Sequence, residues 1–363
     1  MTFRDRLLTA LAGGRPDVMP WFADLGYWYL AQQQLGTLPP EYEGEAGFVK
    51  LHVDLHVGYY LGYVVAVTDT YDNVTVTTEE DGPVTTTRWQ TPVGEIWGQM
   101  HFLPATFSQA PVKWPVSTPE DLRVLQYLAA ATQSTPNYAN FDRLNALAGA
   151  QGHPTVLPPR SPVSQMLAQW TGVTNLTFLL ADAREEVERT LAALARAADA
   201  AYRAILAWDT PFVELPDNLT GEVMTPWFKS YQFDYYVERI EALHAVGKKV
   251  GAHLDGTLRG ILPLLVQTGL DYIEAITPQP TGDVAVEDLR DLAGPDVILF
   301  GGIPGAMFAP PFTADDMRRQ VELIIEHQWP HGRFILGVGD QVPPNGDISL
   351  VRLVGDLVEE LCR

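Results

Sequence analysis

The chain has 363 residues, 46% of them hydrophobic and 19% charged, with a formal net charge of −21. That supplies apolar material for a large core, and no stretch joins low hydrophobicity to high charge as disordered segments do. The acidic field repels phosphate backbones and anionic membrane surfaces, so nucleic acid and membranes are excluded as partners, while a small anion in a locally basic pocket is not.

In chain order, the first expected helix covers residues 3–11 and ends at Gly13-Gly14 with Pro16 beyond. This polar, amphipathic start lacks a signal peptide's apolar core, and no run of about 18 apolar residues follows, so a cytoplasmic protein is expected. Residues 20–25 read as a first strand. Residues 26–57 are aromatic and irregular, and 64–67 read as a second strand. Between 73 and 102 short alternating runs, punctuated by Asp81-Gly82 and Pro92-Val93-Gly94, predict a β-hairpin or small antiparallel sheet. A helix opens near Pro115, a strand covers 155–159, and an amphipathic helix covers 182–208, with Val187, Leu191, Leu194, Ala198, Tyr202 and Ile205 at helical spacing.

The second half alternates regularly. Strands are expected over 212–215, 249–255, 272–276, 297–300 and 334–338. Helices are expected over 226–246, 258–267, 284–292, 313–326 and 348–361. Strand–helix alternation means parallel pairing through crossover helices. Eight candidate strands, near residues 21, 65, 156, 213, 251, 273, 298 and 335, match an α/β (β/α)₈ barrel with a hairpin inserted in its N-terminal half. No repeat or linker divides the chain, so residues 1–363 read as one domain.

Barrel chemistry stands at the C-terminal ends of strands. The polar residues there are Asp24; Asp69, Tyr71 and Asp72; Arg160 and Ser161; Glu214, Asp217 and Asn218; His253 and Asp255; Glu274; and Asp340. In His253-Leu254-Asp255 the outer two residues share a strand face. An imidazole and a carboxylate so placed can chelate a divalent metal, and Glu274 and Asp340 would complete the set, suited to zinc, manganese or iron. The competing reading makes Asp255 the cap of the helix near Leu258. Asp217 and Glu214 could divide acid and base work, or be solvated acids. Arg160 could grip a substrate carboxylate. Trp21 and its aromatic neighbours could line a pocket or lie in the core. Cys362 is the sole cysteine, so neither an intrachain disulfide nor a cysteine-based zinc site is available. No phosphate-binding glycine loop and no Gly-x-Ser-x-Gly elbow occurs.

Several segments, taken in order, resemble the uroporphyrinogen decarboxylase superfamily. They are Arg6-Leu7-Leu8 with Arg15-Pro16-Asp17 and Pro20; Thr91-Pro92-Val93-Gly94; Trp114-Pro115-Val116 with Pro119-Glu120-Asp121-Leu122; 247–256 with Gly269-Leu270-Asp271; Phe300-Gly301-Gly302-Ile303; and Ile335-Leu336-Gly337 to Val342-Pro343. The resemblance implies one of two activities. One is cofactor-free decarboxylation, with Arg160 on a carboxylate and Asp24 as proton donor. The other is methyl transfer or demethylation at a metal, with a corrinoid entering only on a partner protein. The decarboxylases' arginine-rich N-terminal loop is missing, since residues 21–26 contain no arginine. The methyltransferases' histidine and two cysteines align with His253, Asp255 and Asp340. In methionine synthase relatives a further glutamate aligns with Glu274. The resemblance therefore favours a metal-dependent methyltransferase-like enzyme acting on a small substrate. In it Asp217 and Asp24 are the candidate catalytic acids, and Arg160, Glu214, Asn218, Trp21 and Tyr71 the candidate substrate contacts. A barrel that only binds a ligand or a corrinoid protein is the non-catalytic alternative. Barrels often form homodimers, but no patch in the sequence marks such an interface.

Overall fold

The computed structural model describes residues 1–60 and 62–362. Its strands, in chain order, are β1 (Trp21–Ala23), β2 (Gly58–Tyr59), β3 (Tyr63–Val65), β4 (Val67–Tyr71), β5 (Thr75–Asp81), β6 (Val84–Thr91), β7 (Gly94–Leu103), β8 (Ser108–Lys113), β9 (Thr132–Pro136), β10 (Thr155–Leu157), β11 (Phe212–Leu219), β12 (Lys249–Leu254), β13 (Tyr272–Ile276), β14 (Ile298–Pro304) and β15 (Phe334–Gly339). The fold is mixed α/β, and its contacts divide it into two compact units.

The first unit comprises Met1–Val64, Tyr138–Leu157 and Asp209–Arg363. It carries a nine-stranded sheet in the order β2-β1-β15-β14-β13-β12-β11-β10-β3, and the pairings described from β2 through to β10 are all parallel. Parallel neighbours need crossovers, and here helices supply them, from Phe233–His244 between β11 and β12 to Ala314–Gln328 between β14 and β15. Among the described residues, hydrogen bonding does not close the sheet between its edge strands β2 and β3.

Strand alternation sends Phe22, Phe212, Tyr272, Phe300 and Ile335 into one buried cluster, which the apolar face of the first helix, Leu7, Ala10 and Leu11, joins. Gly251 is required beside this cluster, because a Cβ there would lie 2.1 Å from the Tyr272 ring. The helix is closed by a Thr2–Asp5 capping box.

The expected helix over 226–246 is two helices, Gly221–Tyr231 and Phe233–His244, broken at Gln232. Residues 26–57 are not irregular: they hold helices Gly26–Leu35 and Gly44–Asp54.

The second unit comprises Val65–Asn137 and Pro158–Trp208. It holds the four-stranded antiparallel meander β5-β6-β7-β8 and a separate antiparallel pair of β4 with β9. Its longest helix, Arg184–Leu206, buries Val187, Leu194, Ala198, Tyr202 and Ile205. Asp69 and Tyr71 follow β3 as expected, but they lie within β4, which pairs with β9 outside the nine-stranded sheet. No helix among the described residues is long and apolar enough to cross a membrane.

Candidate functional site

His253 is the hub of the first unit's polar centre. It pairs in register with Glu274 on the adjacent parallel strand, so both side chains leave the same face. The His253 Nδ1 hydrogen bonds to Glu274 Oε2. The opposite ring nitrogen, Nε2, lies 2.8 Å from Asp255 Oδ1 and 3.9 Å from Asp340 Oδ1. Donors around one first-row ion sit about 2.0–2.2 Å from it, so no more than roughly 4.4 Å from each other. The Nε2 contacts of His253 with Asp255 and Asp340 satisfy that spacing. One imidazole nitrogen and two carboxylates form a hard donor set compatible with manganese, iron or zinc.

Local backbone geometry builds this mouth. Asp340 follows β15 at φ 71°, a left-handed conformation that only a few side chains tolerate. Asn218, at φ 47°, donates Nδ2 to Asp255 Oδ2 at 2.8 Å. In the turn that follows Asp255, the backbone N–H groups of Leu258 and Arg259 donate to Asp283, at 2.7 and 3.2 Å.

Beneath the mouth the centre is buried. Glu274 is fully buried, Glu214 is 1% exposed, and the two carboxylates and the His253 Nδ1 lie within 4.8 Å of each other. Burial, and then the neighbouring Glu274 charge, push the Glu214 carboxyl up to about 8. Its Oε2 has no hydrogen-bond partner among the described residues. Burial, reinforced by Asp255, raises Asp340 to about 6. Burial also opposes a charge on His253, but Glu274 and Asp255 outweigh it and hold the ring well above the usual imidazole range. Asp24, at the end of β1, accepts from the Gly26 N–H at 2.7 Å and from Gln341 Nε2 at 3.0 Å. Burial raises its carboxyl too.

Other sequence candidates go elsewhere. Asp217 is buried but accepts from Gln232 Nε2 at 2.6 Å and from Tyr236 Oη at 2.7 Å, which fastens β11 to the helices behind it. A register irregularity between Leu215 and Leu219 turns it there. Trp21 alternates with the inward Phe22 and packs outward, its Nε1 donating to the Val351 carbonyl at 3.3 Å. It therefore lines no pocket at the mouth. Arg160 and Tyr71 belong to the second unit. The Arg160 Nη1 is buried with no hydrogen-bond partner among the described residues, so it is chemically free to take a carboxylate.

The sequence reading missed Tyr60, Tyr63 and Gln341. Tyr60 Oη donates to Glu274 Oε1, and Tyr63 Oη donates to Tyr60 Oη at 2.8 Å. No motif marks these positions, and the only signal was an aromatic run beside Gly58.

Comparison with known proteins agrees with this architecture. The uroporphyrinogen decarboxylase (URO-D) family model matches residues 116–361, about two-thirds of the chain. Among curated proteins no match reaches significance. Among solved structures, a methyltransferase from Methanosarcina mazei is similar over 99% of both chains, with 13% identity and a TM-score of 0.61, which establishes a shared fold. The muconate lactonizing enzyme from Pseudomonas putida aligns with 82% of this chain and 78% of its own at 11% identity, but its TM-score of 0.24 carries no weight. The residues matched and the fold they build make the chain a member of the uroporphyrinogen decarboxylase family.

Proposed function

We propose that the chain is a metal-dependent enzyme of the methyltransferase or demethylase kind within this family, acting on a small substrate. The observation that carries the reading is the two-sided use of His253, with Nδ1 toward Glu274 and Nε2 toward Asp255 and Asp340. Histidines that ligate metals characteristically give their other nitrogen to a carboxylate, which fixes ring and tautomer. His253, Asp255 and Asp340 would hold the ion, and Glu274 would act behind the histidine. Bound there, the metal supplies a Lewis acid for a substrate heteroatom. The chain's own residues hold Asp255 in place through Asn218 and bury Glu274 and Glu214 beneath the mouth.

The parallel sheet supports a finer reading of the fold. Its edges β2 and β3 are separated by only residues 60–62 in sequence. We take them as the two halves of one interrupted strand, which makes eight strands around a barrel.

Elemental analysis of purified protein tests the proposal. About one equivalent of manganese, iron or zinc in the native chain, lost in His253→Ala, is the expected result and leads to methyl-transfer assays. No metal in either, even after reconstitution, overturns it. Asp24 favours a second reading. A half-buried carboxyl with a raised pKa suits a proton donor in cofactor-free decarboxylation. Decarboxylation by chelator-treated enzyme, abolished in Asp24→Asn, would establish that alternative.

A further inference from the structure

Tyr60 and Tyr63 belong to a stretch where the strand is interrupted. In a regular strand, residues three apart face opposite sides. Here β2 ends at Tyr59 and β3 begins at Tyr63, yet the two hydroxyls meet at 2.8 Å. The interruption therefore brings both phenols to one side. The Tyr60 ring is packed against Phe300, with centroids 5.8 Å apart, and against Tyr63 at 5.6 Å, so its hydroxyl has little freedom.

That hydroxyl donates to Glu274 Oε1, while Glu274 Oε2 meets His253 Nδ1. Both oxygens of a fully buried carboxylate are thus committed to different donors. We propose that Tyr60 is a positioning residue: it fixes the carboxylate plane of Glu274, through it the tautomer and ring angle of His253, and Tyr63 fixes Tyr60 in turn. This rests on the metal reading of the site. The consequence is directional. With Nδ1–H held by Glu274, it is Nε2 that faces Asp255 and Asp340 before any ion arrives and that gives up its proton to take the metal. Without the phenol, Glu274 can rotate about its terminal torsion toward Glu214, whose Oε2 has no partner, and the imidazole loses its fixed angle. Tyr60 suits this duty because burial, and then the charges of Glu274 and Glu214, hold its phenol far above the usual range, so it remains a donor.

The test is metal binding by Tyr60→Phe, which keeps the ring and removes only the hydroxyl. Cobalt(II) titrated into metal-free protein reports affinity by calorimetry and geometry by its visible absorption. Outer-shell partners of a metal-bound histidine typically govern about 10- to 100-fold in affinity. Tyr60→Phe is expected to weaken cobalt binding at least about tenfold and to shift the absorption band. Tyr63→Phe should move both in the same direction by less, and it stands in should Tyr60→Phe fail to fold. Wild-type affinity and an unchanged spectrum in these variants overturn the assignment while the metal reading stands. A wild-type protein that binds no cobalt removes both.

Discussion

Asn218 holds Asp255 by a 2.8 Å hydrogen bond to Oδ2, the oxygen that His253 leaves untouched. The asparagine is thereby a support for a ligand of the proposed metal. Its φ of 47° is one that glycine adopts freely. Asn218→Gly therefore keeps the backbone and deletes only the amide. Metal affinity is expected to fall about tenfold, as for other outer-shell groups, with the melting curve little changed. Calorimetric titration checks this, and an unaltered affinity would show that Asp255 needs no holder.

Asp255 and Asp283 separate function from capping. Sequence alone allowed Asp255 to cap the turn at Leu258, but Asp283 accepts those two backbone N–H groups. Asp283→Ala should cost about 1–2 kcal/mol of stability and leave the metal content intact. Asp255→Ala should abolish metal uptake and leave stability within about 0.5 kcal/mol. Denaturant melts and elemental analysis on the two variants must diverge in this pattern. If Asp255→Ala is the one that melts early with its metal retained, the capping reading is right.

Asp217, a catalytic candidate by sequence, is predicted to matter for folding only. Replacing it by alanine removes two buried hydrogen bonds to a charged acceptor, from the Gln232 amide and the Tyr236 hydroxyl, each worth about 1.5–3 kcal/mol. Asp217→Ala should thus be several kcal/mol less stable, with metal content per folded molecule at the wild-type level. Metal lost from a well-folded Asp217→Ala would return this residue to the active site.

The contrast between Asp217 and His253 shows what the sequence could disclose. Apolar runs bounded by glycines locate β11 to β15, and a spacing of two residues places His253 and Asp255 on one face. That spacing says nothing about which ring nitrogen meets which acid; only the structure shows Glu274 beside His253 in register and on Nδ1. Asp217 lies inside a register irregularity, between Leu215 and Leu219, which leaves no trace in a pattern of apolar residues. Trp21 and Phe22 are equally apolar, so composition cannot tell which faces inward. Residues 26–57 hide two helices, because aromatic side chains on several faces blur the helical period.

Buried His52 makes stability depend on pH. Burial holds its imidazole at about 4, against 6.5 for the free group. The unfolded chain takes up this proton first, so the contribution is complete above 6.5 and is lost as pH falls toward 4. Glu214 acts oppositely: raised to about 8, it favours the fold below its ordinary 4.5 and loses that contribution as pH rises through 8. The informative quantity is therefore a difference between proteins. Between pH 7 and 5, His52→Gln should lose about 2 kcal/mol less stability than the wild type. Parallel pH profiles for the two would show that His52 is not held neutral in the fold.

Carboxylates at Asp255 and Asp340 set the metal preference of the proposed centre. Two oxygens and one imidazole discriminate weakly between manganese, iron and zinc, whereas thiolates favour zinc strongly. Both positions lie beyond the ends of their strands and are partly exposed, 28% for Asp255 and 59% for Asp340, so a shorter side chain opens no core cavity. The double variant Asp255→Cys/Asp340→Cys should therefore fold and bind one ion. Its preference for zinc over manganese should exceed the wild-type preference by more than tenfold, about 1.4 kcal/mol. Competition titrations with the two metals measure that ratio directly. A variant that keeps the wild-type ratio would mean that neither side chain touches the ion, and the donor set would have to be sought at Glu214, His253 and Glu274.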